Sequence, residues 1–157
     1  MCLEVRREAW SAVFVLHGRA GRRIPVEPRD EVETVSSPLL AVSTGLHGPC
    51  VILRLAGEVT GGTALLLHEH LAQVLALGGP PLLVVDMAQV TVLDGHGLAL
   101  LSAADLRAVN DHGRMVLAEV PNAVSGEFRA LTTHRFRCAP STAEAIVALT
   151  SGSSASR

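Results

Sequence analysis

Leu82-Leu83-Val84-Val85 is an uninterrupted apolar run, set off by Gly78-Gly79-Pro80-Pro81 before it and by Asp86 after it. Such a short run without polar alternation is the pattern of a strand buried on both faces, and a strand of that kind sits at the centre of a covered sheet. The residues before it, 62–77, place Leu67, Leu71, Val74 and Leu75 at helical spacing, and the Gly-Gly-Pro that follows stops a helix. After it, a second helix is expected from Asp94, whose side chain can cap free backbone N–H groups, to Asn110, with Leu98, Leu101, Ala104 and Ala108 three or four residues apart.

The rest of the chain extends this alternation. Residues 39–44 and 50–55 read as two strands joined by a turn at 45–49, with Val51, Leu53 and Leu55 on one face by period two. Asp86 is read as the residue that opens a loop at the end of the central strand. Residues 114–120 read as another strand, 122–131 as a helix after Pro121, 136–138 as a short strand, and 142–150 as a last helix after Pro140. The order is ββαβαβαβα, an α/β chain with a mainly parallel sheet, an N-terminal hairpin and helices packed against it.

Composition narrows the function classes. With 157 residues and 48% hydrophobic content, there is material for one compact core. A net charge of -2 gives no bulk attraction to nucleic acid or anionic lipid, and one Trp, three Phe and no Tyr make a poor base-stacking platform. No nucleic-acid partner is expected. The apolar stretch from Leu71 to Val85 is broken by Gly-Gly-Pro-Pro, which leaves no continuous span of about 20 residues and no membrane insertion. The segment from Ala12 to Leu16 is shorter than a signal-peptide core, so a cytoplasmic location is expected.

The ends differ from the middle. Residues 1–35 hold Arg6, Arg7, Arg19, Arg22, Arg23 and Arg29, and read as a weakly structured, Arg-rich extension, either solvated or available to an acidic partner. Residues 36–150 form the domain, and the Ser- and Gly-rich residues 151–157 read as a disordered tail.

Catalytic and metal signals are missing from the sequence. Cys2, Cys50 and Cys138 have neither CxxC nor zinc-ligand spacing and read as free thiols. His68 and His70 are two apart on a helix, hence about 200° apart around its axis, and cannot share one ion. There is no Gly-x-Ser-x-Gly elbow, no Gly-rich loop ending in Lys, and no Gly-x-Gly-x-x-Gly between Gly57 and Gly62. Neither enzymatic activity nor a cofactor or metal is expected.

The stretch from Leu82 to Leu98, LLVVDMAQVTVLDGHGL, resembles the signature of the STAS family, in which a hydrophobic strand ends in Asp and leads to Val-x-Phe-x-Asp-Ser-x-Gly-Leu. Upstream, Arg54-Leu55-Ala56-Gly57-Glu58-Val59-Thr60 is similar to the family's Gly-Glu-Leu-Asp turn. The two motifs and the element order cover residues 38–150. The resemblance implies a STAS-type fold and an anti-sigma factor antagonist, a domain that docks a kinase-type anti-sigma factor and so regulates transcription. Within the family the kinase phosphorylates the Ser after the loop Asp, and the added charge undoes docking.

By that resemblance the partner-binding residues are Thr60, Asp94, Gly95, His96, Gly97 and Leu98. The phosphoacceptor position is occupied by Gly95, which has no hydroxyl, so direct phosphorylation there is excluded. That departure fits a permanently unphosphorylated antagonist, a STAS branch with a different task, or a paralogue that has lost its switch. An alternative within the family is the STAS subunit of a membrane lipid-transport ABC system. Thr60 stands where the family's turn carries Asp, either as a helix N-cap or as a hydroxyl able to take a phosphate. Asp94 is expected to cap its helix, to face the partner, or both.

Overall fold

In the computed structural model, residues 33–36, 39–131 and 134–151 are described. The Arg cluster with Cys2, and the Ser-rich tail from 152, lie outside the described residues. A six-stranded sheet is laid down in chain order: β1 (Glu33–Ser36), β2 (Leu40–His47), β3 (Cys50–Val59), β4 (Leu82–Leu93), β5 (Arg114–Ala118) and β6 (Cys138–Ala139). Helix α1 (Ala64–Leu75) joins β3 to β4, α2 (Gly95–Asn110) joins β4 to β5, α3 (Asn122–Leu131) joins β5 to β6, and α4 (Thr142–Ser151) follows β6. The pairs from β3 to β6 are parallel, and β1–β2 and β2–β3 are antiparallel. From β2 onward the order is the expected ββαβαβαβα.

Several boundaries differ from the expectation. Strand β3 runs past residue 55 to Val59, α1 is shorter than 62–77, β5 stops at Ala118, and β6 covers Cys138–Ala139. Three further differences have a visible cause. Strand β1 starts inside the stretch read as an extension, pairing Glu33 with Thr44 through to Ser36 with Ala41. Four residues with no alternating pattern carry no strand signal of their own, and only the β2 edge specifies them. The hairpin is tighter than the expected 45–49 turn: Gly45 and Leu46 lie in the ladder opposite Ile52 and Val51, and Gly48-Pro49 alone make the loop. Gly48, at φ +56°, supplies the left-handed residue that a two-residue hairpin turn needs.

The third correction concerns Asp86, which does not open a loop. Strand β4 continues through it to Leu93 and stays paired with β3 until Val59 meets Leu93. Two bulges absorb the mismatch, with Asp86 to Gln89 opposite Arg54 to Ala56, and Val90 to Val92 opposite Gly57 to Glu58. At the first, Asp86 Oδ1 accepts the Ala88 N–H at 3.0 Å, replacing a ladder partner that the bulge takes away.

Alternation divides the core in two. On one face Cys50, Ile52, Val84, Val116 and Ala118 pack with Ala145 and Leu149 of α4. On the other, Leu53, Leu55, Leu83, Val85, Met115 and Leu117 are buried, as are Leu67 and Leu71 of α1 and Leu98 and Leu101 of α2. The two helices lie side by side, and right-handed crossovers between neighbouring strands put both on that face. Because strand order never reverses, the sheet has no switch-point crevice of the kind that binds nucleotides in doubly wound folds. Among the described residues, no helix is long and apolar enough to cross a membrane.

Candidate functional site

The start of α2 is organised by Asp94, an extended residue (φ -107°, ψ 178°) between β4 and the helix. Its backbone N–H donates to the Val59 carbonyl at 3.1 Å, and its carbonyl accepts the Leu98 N–H at 3.0 Å. The side chain caps the helix: Oδ1 accepts the Gly97 N–H at 2.9 Å. Oδ2 accepts the Gly61 N–H at 3.0 Å, from the turn that leads out of β3. The Gly97 N–H and then the Gly61 N–H hold the Asp94 carboxyl below the usual carboxylate range, with a smaller contribution from His96, 3.9 Å away.

The facing turn is built by Thr63, not by Thr60. Thr63 occupies the N-cap position of α1, but its side chain makes no cap bond there. Its hydroxyl donates to the Glu58 carbonyl at 2.7 Å and accepts the Thr60 N–H at 3.1 Å, so the 60–63 turn is tied to the end of β3. The N-cap position expected for Thr60 is therefore held by Thr63, and Thr60 stays half-buried at the edge of the turn.

Of the six residues expected at the docking surface, two lie inside. A Cβ on Gly97 would collide with the Val59 carbonyl and stand 2.7 Å from Val59 Cγ1, so glycine at this position lets α2 pack directly on β3. Leu98 is 2% exposed and belongs to the core. Both positions are buried in the folded chain. Thr60, Asp94, Gly95 and His96 form an accessible rim, with the His96 side chain 82% exposed beside Gly61. Position 95 is open: a Cβ there meets nothing within 4 Å.

Sequence reasoning missed Gly61, Thr63 and Leu65. Leu65 is 71% exposed on the first turn of α1, next to the rim. Its signal was legible, because it lies off the stripe of Leu67, Leu71 and Val74. Gly61 had none, since its bond to Asp94 spans 33 positions.

Other polar groups have structural duties. Asp86 pairs with Arg54 at 3.5 Å beside a depression of about 540 Å³ on the α4 face of the sheet. His70 Nδ1 bonds the Leu66 carbonyl at 2.8 Å, while His68 and Glu69 are exposed. No group of His, Cys, Asp and Glu among the described residues has the arrangement of a metal site.

A strand running into an Asp-capped, glycine-rich helix start, beside a second turn from the neighbouring strand, is the local geometry. The family model described as "Mlab, STAS domain" matches residues 42–137, more than half of the chain. The chain belongs to the STAS domain family. Among solved structures, this STAS domain is similar to an anti-sigma factor antagonist from Mycobacterium paratuberculosis, at 22% identity over 74% of this chain and 99% of that one (TM-score 0.57). It is also similar to the anti-sigma factor antagonist SpoIIAA in its unphosphorylated form, at 15% identity over 71% and 98% (TM-score 0.55). A STAS domain protein from Planctomyces limnophilus matches at 13% identity over 69% and 96% (TM-score 0.60). At these identities the structures share the fold. No curated protein matches the chain.

Proposed function

We propose that this STAS domain is an anti-sigma factor antagonist-like binding module, which docks a kinase-type anti-sigma factor through the rim formed by Thr60, Gly61, Asp94, Gly95 and His96. In this reading it works in the cytoplasm, regulates transcription and catalyses nothing. The observation that carries it is the accessible start of α2, where Asp94 is followed by an open position 95. The three solved structures reported above are themselves described as anti-sigma factor antagonists or antagonist domain proteins.

Glycine at 95 leaves no oxygen for a phosphate at that residue, so docking here is not released by the charge that undoes it elsewhere in the family. The test is to mix the purified chain with kinase-type anti-sigma factors from the same cell, with and without ATP. A complex that persists with ATP and carries no phosphate at residue 95 is expected. Failure to bind any of them would sink the proposal. In the same assay Gly95→Ser should fold normally, because the position is open, and should make the complex ATP-sensitive.

A second reading is favoured by the same missing hydroxyl. A surface that cannot be switched off suits a permanent subunit, and the rim would then clamp the ATPase of a membrane lipid-transport system. Co-purification of a transport ATPase, and of no sigma regulator, would select it.

A further inference from the structure

Both carboxylate oxygens of Asp94 are already engaged. One holds the Gly97 N–H of its own helix and the other the Gly61 N–H of the β3–α1 turn, so two pieces of chain 33 positions apart meet on one side chain. Thr60, Gly61, Gly62 and Gly95 of the rim, and the exposed Leu65 of the first turn of α1, carry no charge; His96 is titratable. A carboxylate that already accepts a backbone donor on each oxygen has fewer lone-pair directions left for an incoming cation than a free one.

We infer that Asp94 serves as a positioning residue, an internal clip that sets the 60–63 turn against the start of α2, and that a partner reads the neutral surface so formed and not the charge of Asp94. The inference rests on the docking proposal and deepens it. Asparagine and glutamate separate the two roles. Asp94→Asn keeps one oxygen for the Gly97 cap, where asparagine is as good as aspartate, but its amide cannot also accept from Gly61. Asp94→Glu keeps the charge, while its extra methylene moves the oxygens out of the clip geometry.

The experiment measures amide hydrogen exchange at Gly61 in the free full-length chain, and affinity for the kinase-type anti-sigma factor that the wild type binds. Protection of the α2 amides reports that each variant is folded. In both variants Gly61 exchange should speed up and affinity should fall about tenfold, the scale of one lost hydrogen bond to a charged group. Affinity retained within about twofold by Asp94→Glu but lost by Asp94→Asn would overturn the inference, since the partner would then be reading charge. So would faster Gly61 exchange with unchanged affinity in both. A wild-type chain that binds no such partner would fail the docking proposal alone. In that event Gly61 exchange unchanged in Asp94→Asn would still refute the clip, because that measurement needs no partner.

Discussion

Gly95 and Gly97 stand two residues apart and have opposite reasons to be glycine. At 97 any side chain meets the backbone of Val59, which cannot retreat without disturbing the β3–β4 ladder. Gly97→Ala should therefore destabilise the chain by about 1–3 kcal/mol in chemical denaturation. Gly95→Ala meets nothing and removes unfolded-chain freedom at a helical position, so it should be neutral or stabilising by up to about 1 kcal/mol. Asp94 adds a pH dependence of definite sign. Its carboxyl is held below its ordinary value in the folded chain, so its contribution is fully present above that ordinary value, near 4, and is lost as pH falls through the lowered one. The stability difference between wild type and Asp94→Ala, about 1 kcal/mol near neutrality, should thus shrink only in acid. A difference constant down to pH 2 would show that the ionised form is not what holds the cap.

Helix α2 shows how one element divides its duties by face. Leu101 is fully buried against the sheet, whereas Leu106, little more than one turn away, is 55% exposed. Truncating the first should cost about 2–5 kcal/mol, and truncating the second less than about 0.5 kcal/mol, when unfolding midpoints are compared. Strand β4 has a similar division along its length. Its first half is the two-sided apolar run, and its second half carries the bulges that bring Leu93 level with Val59 and so place Asp94 beside the β3–α1 turn. Removing a residue between Asp86 and Gln89 would shift the side chains beyond it and pull Asp94 out of reach of Gly61.

For the molecule as a whole, the proposed rim and helix α4 belong to different surfaces, because α4 packs on the sheet face away from α1 and α2. A bulky charge at the open position, Gly95→Arg, should leave the fold intact and abolish partner binding. Val147→Asp, at a residue 60% exposed on α4, should leave binding unchanged when both are titrated against the same anti-sigma factor. Loss in both, or in neither, would put the docking surface elsewhere.

The α/β class, the strand–helix order and the Asp94 cap were legible in the sequence, because each is written in local pattern: apolar runs for strands, three-to-four spacing for helices, an Asp before a helix. What lay beyond it was decided by contacts between distant residues. Pairing with β3 keeps β4 a strand through Asp86, and the β2 edge recruits β1. Burial takes Gly97 and Leu98 away from the surface where the family resemblance had placed them. The Gly61–Asp94 bond comes from two strands that end side by side. Hydrophobic period is a property of neighbours along the chain, whereas register, bulges and which side of a helix start faces water depend on what the rest of the fold packs against it.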